Sequence, residues 1–253
     1  GFSCPDKFVV GYGMDMALGL ADRDGFEAPR REARQRGKLR GLGMANAIEV
    51  AGGPYTSVNP DTASICINPD GSVSLFAGTT SMGQGNETAF AQILSDRLGV
   101  SLDRIQVHWG DSDSLGRGKG NGGSGALTVG GSAVLRATER AVERGRRIAA
   151  HMMEAAVGDV VLRDGRFTVA GTDKGVSWGQ VARTAYVPRQ LPAGMEPGFT
   201  ETAAFTPPAV TFPNGCHVCE VEIDPDTGAI TIERFRDAIS HLLLRAMNDT
   251  GYR

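Results

Sequence analysis

The spacing of apolar side chains changes twice between Thr62 and Val157, and this constrains the fold more than any other feature. Ala63, Ile65 and Ile67 alternate with polar residues, "NPDG" supplies a turn, and Val73, Leu75 and Ala77 resume the alternation, which predicts a β-hairpin. A helix is predicted in "NETAFAQILSDRLGV": Asn86 can cap it, Ala89, Phe90, Ile93, Leu94 and Leu98 make one apolar stripe, and Gly99 ends it. "DRIQVHWGDS" reads as a strand on Ile105, Val107 and Trp109. A glycine-rich segment from Gly110 to Val134 then enters a helix covering roughly Ser132 to Val157. Strand, strand, helix, strand, loop, helix, with helices and strands mixed throughout, predicts an α+β or mixed α/β fold of β-hairpins with packed helices in two layers.

The flanks fit the same class. Met14, Ala17, Leu18 and Ala21 share one helical face, a charged second helix follows, and Leu42, Met44, Ala47 and Ile48 in the glycine-bounded stretch 37–53 read as a buried strand. "GGPYTSVNP" is a turn into the central unit. Downstream come a hairpin turning at "DG", a short helix near Trp178 to Tyr186, a Pro-rich connector and a last hairpin turning at "DPDTG". The stretch "RDAISHLLLRAMNDTGYR" is expected to turn helical. On these patterns the chain divides into an N-terminal helical and strand segment (1–58), a central α/β unit (59–157) and a second hairpin and helix unit with a divergent tail (158–253).

Glycine is the compositional outlier: 35 of 253 residues, against an ordinary share of roughly 7%. It concentrates at two corners, Gly83 to Gly85 and Gly122 to Gly131, each just before a predicted helix. Helix starts present unpaired N–H groups and a partial positive charge, and glycines let an anion approach the backbone, so two such corners can converge on one phosphorylated ligand. Between two of those glycines stands Gln84. Its neutral amide suits recognition of a heterocycle or an oxo group, and equally suits bridging backbone groups at the corner.

Other chemistry is poorly supported. Lys119 is followed by Gly120, so no P-loop is present, and the G-x-G-x-x-G spacing of Gly118, Gly120 and Gly123 lies well past the strand that would have to precede it. Cys216 and Cys219 sit three apart on a strand and point to opposite faces, unsuited to one tetrahedral metal. His108, His151, His217 and His241 lack ligand spacing, and no serine nucleophile elbow occurs. Glu220 and Glu222 share one strand face, expected to meet solvent or a neighbouring chain. A net charge of −3 gives no broad attraction for nucleic acid or anionic membrane. No apolar run approaches the roughly 20 residues of a membrane span, and four scattered cysteines make no disulfide framework, so the cytoplasm is the expected compartment.

"GTTSMGQGNETAFAQILSDRLGVSLDRIQVHWGDSDS", then "GNGGSGALTVGGSAV" and a long helix, resembles the molybdenum-binding subunit of the xanthine dehydrogenase, aldehyde oxidase and carbon monoxide dehydrogenase family. "ALGLADRDGFEAPRREARQRGKLRGLGMANAIEVAGG" and "FPNGCHVCEVEIDPDTGAITIERF" are similar to its flanking segments, so the likeness covers roughly residues 14 to 235.

The resemblance implies a molybdopterin cofactor, commonly the cytosine dinucleotide in bacterial members, and hydroxylation of an aldehyde, N-heterocycle or similar small substrate with water as oxygen source. It implies cofactor-binding roles for Met82, Gly83, Gln84 and Gly85, with the glutamine beside the oxo group and pterin, and for Gly122, Gly123, Ser124, Gly125 and Ala126 beside the metal and pyrophosphate. Where many bacterial members carry an aromatic residue before the glycine-serine pair and an arginine after it, Gly122 and Gly125 stand here, which predicts an emptier wall. The family's Gly-x-Gly-Glu base is not matched, so no catalytic residue and no direct metal ligand is assigned to this chain. Implied partners are the remaining molybdenum-subunit segments, an iron-sulfur subunit and an FAD subunit, with the isolated chain inactive. The alternatives are a non-catalytic structural or assembly fragment of such a subunit and a nucleotide-binding module without redox chemistry.

Overall fold

The computed structural model describes residues 7–52 and 60–239. Along the chain run α1 (Lys7–Leu20), α2 (Glu27–Gln35), β1 (Leu39–Ile48), β2 (Asp61–Ile67), β3 (Val73–Ala77), α3 (Asn86–Leu98), β4 (Ile105–Trp109), α4 (Ser132–Met153), β5 (Val160–Arg163), β6 (Arg166–Val169), β7 (Gly175–Ser177), α5 (Trp178–Thr184), β8 (Thr200–Phe205), β9 (Asn214–Ile223) and β10 (Ile230–Ile239). The α+β class follows directly. Contacts gather them into two compact units, Val50–Thr211 and one joining Gly1–Glu49 to Phe212–Arg253. This grouping pairs the two ends of the chain, whereas the sequence segments were consecutive, because β9 takes β1 as its strand neighbour across more than 160 residues of chain.

The larger unit is built on a four-stranded sheet in the order β4-β3-β2-β8. β2 and β3 form the predicted antiparallel hairpin with Ala63 opposite Ala77 and Ile67 opposite Val73, and Asn68 closes its turn by donating through Nδ2 to the Ser72 hydroxyl at 3.0 Å. β3 and β4 run parallel, so α3 is their crossover. The alternating residues face one way and the helices cover them: Ile65 and Leu75 pack in one core with Phe90, Leu94 and Leu98 of α3 and Val134, Ala137 and Ile148 of α4. Gly99 adopts the left-handed conformation expected of a helix stop, and α4 ends earlier than anticipated, at Met153, where Glu154 turns left-handed.

A three-stranded sheet, β5-β6-β7, adjoins α4 and α5. Its "DG" turn has positive φ at both Asp164 and Gly165, the geometry that suits a right-twisted hairpin. Ser177 and Gln180 form a reciprocal capping box at α5, which ends two residues before the predicted Tyr186, and Trp178 at its start stacks on Phe167 with ring centroids 5.3 Å apart.

The smaller unit has β9 central between antiparallel β1 and β10. Cys216 and Val218 on one face of β9 pack against Ala17 and Ala21 of α1. Two expectations are corrected here. β1 is a strand but not a buried one, since it lies at a sheet edge and leaves Met44 47% and Ile48 53% exposed. Glu220 does not face solvent: it is buried, bonded by Arg40 Nε at 2.6 Å and approached by Arg234, while Glu222 pairs with Arg36 at 2.6 Å. The opposite sheet face carries Leu39, Ile230, Ile232 and Phe235, all more than half exposed. The expected helical tail begins too early, since Arg236 to Ile239 continue β10; the rest of it, and most of the "GGPYTSVNP" turn, lie outside the described residues.

Candidate functional site

Because β3 and β4 are parallel, with Ala77 beside Trp109, the segments that leave their carboxyl ends start next to each other at Gly78 and Gly110. In open α/β sheets that end of the strands is where ligands bind. The first segment, 78–85, is a tight corner with Gly83 and Gly85 both at positive φ, 97° and 76°. Gln84 reaches back so that its Oε1 accepts the Met82 N–H at 2.6 Å, which is the bridging role open to a glutamine at such a corner, and leaves its amide nitrogen exposed. Met82 to Gly85 are all exposed, Met82 by 76%.

The corner is held from below. Asn86 is the first residue of α3 and does not cap it; the N-cap is Gly85, with no side-chain cap, and Asn86 Nδ2 donates to the Thr80 carbonyl at 3.1 Å. This correction follows from the left-handed Gly85, which takes the cap position one residue early. Glu87 binds the corner to the end of β4: Ser81 Oγ donates to one carboxylate oxygen at 2.8 Å and the Trp109 indole to the other at 3.1 Å. Its own backbone N–H at the helix start, then the Ser81 hydroxyl, hold the Glu87 carboxyl below the ordinary carboxylate range.

The second segment turns back under the first. Gly120 N–H donates to the Gly78 carbonyl and Asn121 Nδ2 to the Thr80 hydroxyl, both at 3.4 Å. Gly122 to Ser124 are exposed, Gly123 and Ser124 have positive φ, and the Ser124 carbonyl accepts the Thr128 hydroxyl at 3.1 Å. One π-helical turn, Ala126–Gly131, then runs into α4. The wall at Gly122 and Gly125 is less empty than expected, because the Lys119 ammonium donates to the Gly122 carbonyl at 2.6 Å and fills the place a Gly125 side chain would take. A cavity of about 160 Å³, lined by Gly78, Thr80, Asp111, Leu115 and Gly118, lies at the same strand ends.

All nine candidate residues therefore fall on two segments that are hydrogen-bonded to each other. Lys119, Asn121 and Thr80 were missed by sequence reasoning. Lys119 was weighed only against the P-loop pattern, and the other two carry no signal of their own. So was Asp61, which ends up between both segments.

These residues suit a large anionic cofactor approached through backbone. An added Cβ at Gly83, Gly85, Gly120 or Gly122 would meet nothing within 4 Å, the N-cap of α3, Gly85, offers no side-chain cap, and Asn121 Oδ1 is buried with no partner among the described residues. Among the described residues no group of His, Cys, Asp and Glu could hold a metal ion, and no helix is long and apolar enough to cross a membrane.

Fold and candidate site together define an α+β protein whose glycine loops leave the carboxyl ends of paired parallel strands. The family profile described as "Molybdopterin cofactor-binding domain" matches residues 17–239, and the chain belongs to that family. It is 36% identical over 217 residues to the carbon monoxide dehydrogenase large chain of Hydrogenophaga pseudoflava, covering 83% of this chain and 27% of that one. With the nicotine 6-hydroxylase large subunit of Paenarthrobacter nicotinovorans it shares 35% over 225 residues, 85% and 28% of the two chains. Among solved structures, CO dehydrogenase from Oligotropha carboxidovorans superposes with a TM-score of 0.76 at 30% identity, over 96% of this chain and 32% of that one. Quinoline 2-oxidoreductase from Pseudomonas putida 86 gives 0.75 at 30% identity, over 92% and 32%. The chain thus spans little more than a quarter of the length of the curated relatives it matches.

Proposed function

We propose that this chain is the cofactor-holding part of a molybdenum hydroxylase, an oxidoreductase acting on an aldehyde, N-heterocycle or similar small substrate, and that its cofactor is molybdopterin cytosine dinucleotide. The observation that carries the reading is the joining of the two glycine segments at the carboxyl ends of parallel β3 and β4, in a chain of this family. Met82, Gly83, Gln84 and Gly85 would hold the pterin side, with the free Gln84 amide nitrogen as donor. Gly122, Gly123, Ser124, Gly125 and Ala126 would hold the pyrophosphate side, where the Lys119 ammonium adds a positive charge. When bound, the cofactor supplies the two-electron oxidation, with water as the source of the oxygen transferred.

In this reading the residues of this chain bind and orient, and the family's Gly-x-Gly-Glu base, which its sequence does not match, is a contribution typically worth about 10²- to 10⁴-fold. That base would come from the remaining molybdenum-subunit segments, and electrons would leave through iron-sulfur and FAD subunits in the cytoplasm. Relatives are named as a large chain, a large subunit and a complex subunit. The exposed apolar face of Leu39, Ile230, Ile232 and Phe235 supports the need for further polypeptide.

The test is metal and pterin analysis of the chain purified alone and after co-expression with its complementary segments. Molybdenum and a cytosine nucleotide at one per chain in the complex are expected. A correctly assembled complex without molybdenum overturns the reading.

A further inference from the structure

The side chain of Asp61 is completely buried at the start of β2, and its hydrogen bonds reach into both glycine segments. Oδ1 accepts from the backbone N–H of Thr62 at 2.9 Å and of Lys119 at 3.1 Å. Oδ2 accepts from the Thr79 hydroxyl in a very short contact. Thr79 is the root of segment 78–85, and Lys119 is the root of the loop that carries Gly122 to Ala126. The π-helical turn closes the third side: a Cβ on Gly130 would lie 2.6 Å from Thr79 Oγ1 and 3.0 Å from Asp61 Oδ2.

A buried carboxylate is costly unless its oxygens are hydrogen-bonded. A purely structural carboxylate would take its donors from the core or pair with a cation. Asp61 takes one donor from its own strand and the other two from the segments above, while the nearby Lys119 ammonium turns away to Gly122. We infer that Asp61 is a positioning residue that couples segments 78–85 and 118–126, so that the two behave as one clamp rather than as two independent loops. Its consequence for ligand retention rests on the cofactor reading above; the coupling itself does not.

The geometry separates charge from hydrogen bonding. In Asp61→Asn, the remaining oxygen can still accept from Thr62 and Lys119, and the new amide nitrogen can donate to Thr79, whose hydroxyl is free to rotate. Asp61→Ala removes all three bonds and leaves the partly buried backbone N–H groups of Thr62 and Lys119 without this acceptor. Thr79→Val changes a side chain of the first segment and removes its bond to Asp61 Oδ2 while leaving Asp61 and Lys119 in place.

The deciding measurement is amide hydrogen exchange, read by mass spectrometry on the purified cofactor-free chain. Asp61→Ala is expected to speed exchange in both segments together by on the order of tenfold, with peptides from β3 and α4 unchanged, and Asp61→Asn to restore most of the protection. Thr79→Val is expected to speed exchange around Lys119, in the segment it does not belong to; if Asp61→Ala does not fold, this variant decides alone. Loosening confined to 78–85 in Thr79→Val, or equal loosening of segments and core in Asp61→Ala, overturns the coupling. Molybdenum content of the co-expressed Asp61→Ala complex should fall in step with the lost protection. A wild-type complex without molybdenum refutes the cofactor reading and leaves the exchange result standing.

Discussion

The carbonyl oxygen of Gly78 occupies the space into which any side chain on Gly118 would project, 2.3 Å from an ideal Cβ there. The three atoms nearest that Cβ all belong to the Gly78 backbone, and a Cβ on Gly78 would in turn lie 2.7 Å from Gly118 Cα and 2.3 Å from Asp61 Oδ1. Gly118→Ala must therefore part the two segments, at about 1–3 kcal/mol. A Cβ on Gly125 meets an atom even closer, at 2.0 Å, but that atom is the Lys119 Nζ at the end of a flexible chain. Gly125→Ala should therefore cost less than about 1 kcal/mol. Urea unfolding of both variants checks the order; equal costs would mean the backbone contact is softer than its distance implies.

Gln84 separates stability from binding. Its one hydrogen bond, to Met82 N–H, lies at an exposed corner, so Gln84→Ala should change unfolding free energy by no more than about 0.5 kcal/mol. If the proposed cofactor contact is right, the same variant loses a donor that nothing else at the corner replaces. Molybdenum and pterin retained through dialysis of the co-expressed complex should then fall roughly fivefold to tenfold. Unchanged retention would remove Gln84 from the binding set.

The three hairpins and the α3 stripe were legible in the sequence because each rests on local periodicity or on a turn whose chemistry is local; the parallel pairing of β3 with β4 was not, since nothing local to either strand names its partner. Asp61 was not, since it precedes an alternating run by one residue and its partners lie 18 and 58 positions away. Asn86 misled for a related reason. Its type favours a cap, but the left-handed Gly85 takes the cap position and sends the Asn86 side chain to Thr80. Glu220 and Glu222 looked like a solvated face because alternation tells which residues share a face and not what lies over it; α2 and β1 bring Arg36 and Arg40 there. The candidate site was legible as two glycine corners, and the bonds that join them were not, because half of them involve backbone and the rest link small polar side chains far apart in the chain.

That arginine and glutamate cluster gives the next expectation. Arg40, only 12% exposed in its side chain, bonds Glu220, which is 3% exposed. Removing the arginine alone leaves a buried carboxylate served, among the described residues, by Arg234 at 3.7 Å, so Arg40→Ala should cost about 3 kcal/mol. Replacing both partners, Arg40→Met with Glu220→Leu, should recover most of that loss. A double-mutant cycle by chemical denaturation measures the difference. A double variant as unstable as the sum of the two single variants would show that the pair is not coupled.

The last expectation concerns acid. Lys38 Nζ lies 2.6 Å from Asp224 Oδ2, and this bond, with a further one from the Asp226 N–H, lowers the Asp224 carboxyl from 3.8 to about 2. A carboxyl whose pKa is depressed on folding stabilises the native state above its unfolded value. That contribution is complete above roughly pH 5 and is lost as the pH falls through the window from about 4 to about 2. Glu87, Asp111 and Asp70 are lowered too, so the whole protein should weaken in acid, and the difference between wild type and Lys38→Ala isolates this pair. Unfolding free energies measured from pH 6 down to pH 2 should differ most at the upper end and converge toward the lower. A gap that keeps its size throughout would mean that Lys38 acts through the packing of its aliphatic stem and not through its charge.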